Sequence, residues 1–357
     1  MKLSQFDYTL PPELIAQTPV EPRHASRLMV VNRKTGEIEH KQFTDLPDYL
    51  NPGDIVVVND TRVLPARLYG QKSTGGKMEV LLLKQLSPRE WEVLVGGKNL
   101  HVGSTFSINH TDITAEITDE MDGARRVVEF SAPVDEVLYD VGDTPLPPYI
   151  HETLDDPERY QTIYSRYEGS AAAPTAGLHF SPDMLIDLRG RGVQLEYVTL
   201  HVGLDTFKPV DVENIEDHTI HSEWATISSD AARRINDAKL AGGRIIAVGT
   251  TTVRTLETGA LRSAGITGSL RDASRLEAGI CPWKPVQAFT EETDLYIYPG
   301  FHFRAVDVML TNFHLPKSTL LMMVSAFAGE ELIHRAYAEA IAEKYRFYSF
   351  GDAMLIL

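Results

Sequence analysis

Four short segments hold residue types suited to binding and proton transfer. Ala171–Phe180 (Ala-Ala-Ala-Pro-Thr-Ala-Gly-Leu-His-Phe) is a run of small residues that ends in a histidine. Ala, Gly and Pro let a backbone approach a ligand closely, while Thr175 and His179 add a hydroxyl and a titratable ring. Leu200–Phe207 (Leu-His-Val-Gly-Leu-Asp-Thr-Phe) repeats the theme with His201, Gly203 and Thr206, and Thr311–Leu320 places Asn312 and His314 beside Phe313 and Leu315, ahead of Lys317. A polar pair rimmed by apolar rings describes a pocket wall as well as it describes a satisfied core histidine.

The fourth segment, Gly249–Glu257 (Gly-Thr-Thr-Thr-Val-Arg-Thr-Leu-Glu), follows an apolar run and opens a helical pattern. Free N–H groups and the hydroxyls of Thr250 and Thr251 at such a turn suit an anion or carboxylate, and they equally suit a plain helix cap. Arg254 and Glu257, three residues apart, are spaced to pair with each other. No phosphate loop is present: Gly70–Gly75 fails as one because Gly76 precedes Lys77. His218–Glu223 (His-Thr-Ile-His-Ser-Glu) has the side chains of a metal site without helical ligand spacing, so hydrogen bonding is the expected role and no metal is expected. Asn59–Arg67 carries Asp60, Arg62 and Arg67 at the end of a buried run, where polar groups act as caps or ligand contacts.

These segments need elements to position them. Leu28–Val31 and Glu37–Phe43 flank Lys34-Thr-Gly36, a hairpin pattern, and Ile55–Val58 is an unbroken β-branched run that predicts a buried strand. From about Ala66 to Phe130 short alternating stretches (Lys77–Leu83, Trp91–Val95, Asp112–Ile117, Arg125–Phe130) are split by Gly, Asn and Asp turns, which predicts a small antiparallel barrel. Pro145-Leu-Pro-Pro-Tyr149 is a stiff return segment. Beyond it, a strand over Val193–Leu200, a helix over Asp230–Leu240, a strand over Arg244–Val248 and a helix from Thr252 to Arg262 give an α/β rhythm. The predicted fold is therefore a layered α/β main domain over 1–64 and 150–357, interrupted by a β-barrel over 65–149. The irregular stretch Ile266–Glu292 is expected to be a surface loop without catalytic duty.

The 357 residues, 43% hydrophobic, suffice for roughly two domains. No apolar leader opens the chain and the greasy run near Leu320–Ala328 is too short to span a bilayer, so a cytoplasmic protein is expected. The single cysteine, Cys281, excludes an intrachain disulfide and a thiolate zinc cage. A net charge of −16 argues against a uniformly basic nucleic-acid coat; any RNA contact must come from local patches such as Arg23–Arg27, Arg62 with Arg67, or Lys317 with Arg304 and Arg346.

In this order, and with Phe6-Asp7, Ile15-Ala-Gln17 and Tyr345–Met354 at the ends, the segments resemble the S-adenosylmethionine:tRNA ribosyltransferase-isomerase family of queuosine biosynthesis. The resemblance spans almost the whole chain and implies an α/β domain with an inserted barrel. It implies transfer and isomerisation of the ribosyl part of S-adenosylmethionine onto a 7-aminomethyl-7-deazaguanine at the wobble position of tRNA, giving epoxyqueuosine-tRNA, adenine and methionine. S-adenosylmethionine would be substrate rather than resident cofactor, no metal is required, and a monomer is the default. His179 and His201 become candidates for base and acid, followed by His314, with Asp60 or Glu257 able to replace one of them. Thr175, Gly177, Phe180, Gly203, Thr206, Gly249, Thr250, Thr251, Arg254, Glu257, Tyr298 and Asn312 become candidate substrate contacts, with Phe180 and Tyr298 offering ring faces to the sulfonium or adenine. Arg62, Arg67 and Lys317 become candidate tRNA-phosphate contacts. Asp205 departs from the glycine expected there. A methyltransferase on an α/β sheet is a rival reading, though the Gly-rich turn near the N-terminus that it needs is missing; a noncatalytic tRNA-binding module is another.

Overall fold

The computed structural model describes residues 1–203, 210–276, 279 and 281–357, so Asp205 and Thr206 lie outside the described residues. The chain forms two compact units, Met1–Thr61 with Pro147–Tyr167 and Ala173–Leu357, and Arg62–Leu146 with Glu168–Ala172.

The larger unit is built on a nine-stranded sheet. Its strands are β1 (Arg27–Val31), β2 (Ile38–Gln42), β3 (Ile55–Asn59), β12 (Gln194–Leu200), β13 (Glu223–Ile227), β14 (Ile245–Val248), β15 (Phe289–Thr293), β16 (Val308–Asn312) and β17 (Ala353–Ile356). They lie in the order β15-β13-β12-β3-β14-β16-β17-β1-β2. The central four, β12, β3, β14 and β16, run parallel, so their C-terminal ends share one edge. β3 is buried at every position, as an apolar run covered on both faces must be. The β1–β2 hairpin forms with Leu28 opposite Lys41.

Alternation decides which layer each side chain joins. Ile55, Val57, Val198, Ile245 and Ala247 face the layer of α3 (Ser229–Leu240), α4 (Thr250–Ser263), α5 (Thr319–Ala328) and α6 (Glu330–Ala342). Val56, Val58, Ile246 and Val248 face α2 (Pro182–Gly190) and the 3-10 segments Phe43–Tyr49 and Thr175–His179. Ser181, Ser228 and Ser318 accept hydrogen bonds from the first turns of α2, α3 and α5. α4 starts at Thr250, two residues before the expected Thr252, because Gly249 at φ +86° turns the chain directly from β14 into the helix.

Two expectations change. Ile266–Glu292 is not simply a surface loop: Leu270, Ala273 and Val286 are buried in the core, and its end supplies the edge strand β15. Apolar residues spaced without period carry no strand or helix signature, yet they still fill space under a sheet. Arg254 and Glu257 do not pair with each other; both are buried in α4 and each finds a partner from another element.

The smaller unit holds a closed six-stranded antiparallel barrel in the order β10-β7-β6-β5-β8-β9. Its strands are β5 (Arg67–Lys72), β6 (Lys77–Gln85), β7 (Glu90–Gly96), β8 (Thr105–Ile108), β9 (Thr114–Glu120) and β10 (Arg125–Phe130). Closure removes free edges. Gly70 belongs to β5 because any Cβ there would come within 2.5 Å of the Ser107 carbonyl oxygen of β8. The short strands β4 (Thr61–Val63) and β11 (Tyr167–Ser170) pair with each other, and α1 (Leu138–Val141) is a single turn near the end of the barrel segment. Among the described residues no helix is long and apolar enough to cross a membrane.

Candidate active site

The shared C-terminal edge of the four parallel strands gathers the segments that the sequence singles out. Asn59 and Asp60 end β3, His201 follows β12, Gly249 follows β14, and Asn312 and His314 close β16. Asn59 stitches three of these together: its amide donates to the Leu200 carbonyl at 2.9 Å and to Thr251 Oγ1 at 3.2 Å, and its Oδ1 accepts from the Leu200 amide at 3.1 Å. Ala171–Phe180 is drawn in by a polar chain. Thr175 Oγ1 donates to Asn312 Oδ1 at 3.0 Å, Asn312 Nδ2 lies 3.3 Å from His179 Nε2, and His179 Nδ1 lies 2.8 Å from Ser26 Oγ. An amide nitrogen can only donate, so His179 Nε2 accepts and its proton sits on Nδ1.

Two adjoining cavities open here. One, of about 310 Å³, is lined by Gly203, Asp211, Asp217, His221, Glu223 and Arg254, among others. The second, of about 60 Å³, is lined by Thr175, Gly249, Asn312, His314 and Tyr348, among others. Thr250, Thr251 and Leu320 line both, which places the first turn of α4 at their junction. The wall of the larger cavity is held by a buried ion pair. Glu223 Oε2 receives Arg254 Nη1 at 2.5 Å and its Oε1 receives the Gly203 amide at 2.9 Å, while Arg254 Nη2 donates to the carbonyls of His221 and Thr293.

Burial sets the protonation of the histidines. It lowers His179 and His314 to about 3 and His201 to about 4, so all three rings are neutral at pH 7. His314 Nε2 is paired with Thr311 Oγ1 at 2.7 Å. His201 Nδ1 is held by Thr61 Oγ1 at 2.8 Å, and its ring stacks on Trp224 with centroids 4.9 Å apart and 15° between planes. Burial raises the Asp60 carboxyl above its ordinary range, opposed by the hydrogen bond from Thr199 at 2.7 Å.

Other candidates stand elsewhere. Phe180 is wholly buried against Phe43 in the core. Tyr298 is buried beside Tyr296, and it is Tyr296 that reaches the larger cavity. Glu257 is fully buried, its carboxylate receiving the amides of Arg304, Ala305 and Val306 at 2.9–3.0 Å. Gly177 lies under Tyr164, whose hydroxyl would stand 2.1 Å from an added Cβ. Lys317 pairs with Asp7 at 2.8 Å. Of the basic residues grouped with it, Arg304 is buried and Arg346 bonds the Thr18 carbonyl. Arg62 and Arg67 belong to the smaller unit, where Arg67 pairs with Glu79 at 3.2 Å.

Sequence reasoning overlooked Trp224, Ser26, Asp211 and Asp217, and saw Glu223 only as part of an unconvincing metal pattern. For Trp224 and Glu223 a signal existed, because adjacent strand residues face opposite sides and both lie on β13. For Ser26, Asp211 and Asp217 no local pattern distinguishes them from ordinary surface residues. Among the described residues no group of three or more His, Cys, Asp or Glu side chains is arranged to hold a metal ion.

Comparison with known proteins gives this edge a context. The family model described as queuosine biosynthesis protein matches residues 3–356. Proteins named S-adenosylmethionine:tRNA ribosyltransferase-isomerase from Symbiobacterium thermophilum and Desulforamulus reducens are 54% and 52% identical, each alignment covering 100% of both chains. A crystal structure of S-adenosylmethionine tRNA ribosyltransferase from Thermotoga maritima is 38% identical, with a TM-score of 0.55 over 99% of this chain and 100% of that one. Matched over nearly its whole length in sequence and across its fold, the chain belongs to the queuosine biosynthesis protein family.

Proposed function

We propose that this protein transfers and isomerises the ribosyl moiety of S-adenosylmethionine onto 7-aminomethyl-7-deazaguanine at the wobble position of tRNA, releasing adenine and methionine. The observation that carries the reading is the convergence of the segments after β12, β14 and β16 on two adjoining cavities, with Asn59 at the end of β3 bonded to the first two of them, in a chain whose full-length relatives bear that enzyme's name. A cavity of about 310 Å³ suits a nucleoside-sized ligand. Asp211 and Asp217 on its wall complement a donor that carries sulfonium and ammonium charges, and the first turn of α4 suits the donor carboxylate.

The sulfonium acidifies the ribose carbon bonded to it. A base takes that proton, the resulting ylide opens the sugar and expels adenine, and adenine takes up a proton. The aminomethyl nitrogen then attacks the opened sugar, and epoxide closure breaks the carbon–sulfur bond and frees methionine. His201 is the group we assign to proton transfer, because it is neutral, half-buried and oriented by Thr61. His179, with both ring nitrogens engaged, positions Asn312 and Thr175. Asp60, beside Thr199, is the alternative base. Arg62, Arg67 and Lys317 are assigned to tRNA phosphate. A cytoplasmic monomer, with the insertion bounded at 65 and 149, completes the reading.

The test is incubation with deazaguanine-modified tRNA and donor labelled separately in ribose and methyl. Ribose label on RNA with free methionine and adenine is expected. Methyl label on RNA with S-adenosylhomocysteine would make the protein a methyltransferase, and RNA binding without donor consumption would make it a noncatalytic module; either outcome overturns the proposal.

A further inference from the structure

The sheet has a face that its helices leave partly open. Along β12 the buried Val198 and Leu200 alternate with exposed Tyr197 and half-buried His201, while Thr199 between these two is buried against Asp60. β13 continues that face, since Thr199 pairs with Thr226 and the His201 amide bonds the Trp224 carbonyl at 3.0 Å. Tyr197 is 39% exposed and Trp224 38%, so two large rings stand in water on adjacent strands. One face of Trp224 is occupied by the His201 ring. Tyr167, 48% exposed, is tied to the same place: Thr61 Oγ1 bonds the Tyr167 carbonyl at 3.4 Å as well as His201 Nδ1.

Charge accompanies the rings. Exposed Arg166 lies with its guanidinium 5.1 Å from the centre of the Tyr167 ring, and exposed Arg189, on α2, is close enough to act electrostatically on the Tyr197 hydroxyl. Among the described residues neither arginine makes an ion pair, in a chain of net charge −16 whose cations are otherwise mostly paired with carboxylates or carbonyls. Open aromatic faces beside unpaired guanidinium groups are the chemistry that receives unstacked bases and their phosphates. A duplex, with its bases already stacked, has nothing to place on them.

We propose that this open face of β12 and β13 docks the single-stranded loop of the RNA substrate, with one loop base stacked on the outer side of Trp224 and Arg166 and Arg189 on the flanking phosphates. This rests on the proposed function for the identity of the RNA. It brings the loop beside His201, at the end of the strand that leads into the donor cleft.

Binding is measured without donor, by fluorescence anisotropy of a labelled anticodon stem–loop and of a fully paired duplex with the same stem. In W283F protein the 81%-exposed tryptophan is gone and the remaining other, Trp91, is buried, so a change in exposed tryptophan emission reports Trp224. We expect the stem–loop to quench that emission and W224A to raise Kd at least ~fivefold, the weakest effect usual for a stacked base. R189E, distant from the ring stack, should raise Kd as well and flatten its salt dependence. Retention of donor by equilibrium dialysis should be unchanged in R189E. Wild-type Kd in both variants, equal affinity for loop and duplex, or concentration-dependent self-association that W224A abolishes would each overturn the docking inference. None of those results touches the proposed reaction, which fails instead if wild-type protein releases no adenine and methionine from the labelled donor.

Discussion

The Arg254–Glu223 pair offers a quantitative test of how the larger cavity is held. Both side chains are 8% exposed, and Glu223 joins Gly203 to the guanidinium while Arg254 joins the carbonyls of His221 and Thr293. Arg254→Met leaves a buried carboxylate without its cation, and Glu223→Gln leaves a buried guanidinium facing a neutral partner. Stranding one charge of a buried pair costs about 3–5 kcal/mol. The double variant strands neither, because the glutamine oxygen still accepts from Gly203 and methionine fills the stem of the arginine. It should cost about 1–2 kcal/mol, chiefly from the released carbonyls. Coupling of at least about 2 kcal/mol is therefore expected from a double-mutant cycle. Urea unfolding of the full chain, followed by circular dichroism and tryptophan emission, supplies the four free energies. If the double variant equals the sum of the single ones within about 0.5 kcal/mol, the pair is not the wall of the cavity and the reasoning fails.

Three further outcomes are expected. Glu257→Ala should destabilise the protein by at least about 3 kcal/mol, since three buried amides lose their acceptor at about 1 kcal/mol or more each, while Glu257→Gln should leave the donor KM unchanged; a raised KM at unchanged stability would make Glu257 a ligand contact. Alanine replacement of His201 or His179 should each lower methionine release at least ~100-fold, through lost proton transfer in the first and misplaced Asn312 in the second, and wild-type turnover in either variant would remove that residue from the mechanism. His179 and His314 are neutral when folded because burial lowers both to about 3, whereas in the unfolded chain they titrate near ~6.5. Their contribution is complete above that pH and is lost as pH falls toward the folded values, by about 2 kcal/mol per histidine at pH 5; His201, lowered to about 4, adds a similar share, so urea midpoints at pH 7.5 and 5 measure the drop and a His314→Gln variant should lose roughly a third of it.

Local pattern made much of the scaffold legible. The β-branched run at Ile55–Val58 could only be a strand covered on both faces, and β3 is buried throughout. Alternation with Gly and Asn turns announced the barrel, because a strand with one face inward has period two whatever it pairs with. It did not flag Arg67–Lys72 or Thr105–Ile108, since Gly70 is explained only by the carbonyl of Ser107 across the ladder. Leu270, Ala273 and Val286 escaped notice because they fill core volume without lying on a periodic element.

Residue chemistry along the chain determined which segments deserved a chemical role; which side chains meet was settled by tertiary structure. Thr175, Asn312 and His179 form one polar chain although 133 positions separate His179 from Asn312, and nothing local to either announces the other. Arg254 and Glu257 looked like partners at helical spacing, yet folding carries one to Glu223 on β13 and the other to three backbone amides. Histidine identity alone supplies a ring that titrates near neutrality, and burial at the sheet edge then decides that each of the three is uncharged. Periodicity and capping are short-range properties that a sequence displays directly. Desolvation and long-range pairing exist only once the four parallel strands bring their ends to a common edge.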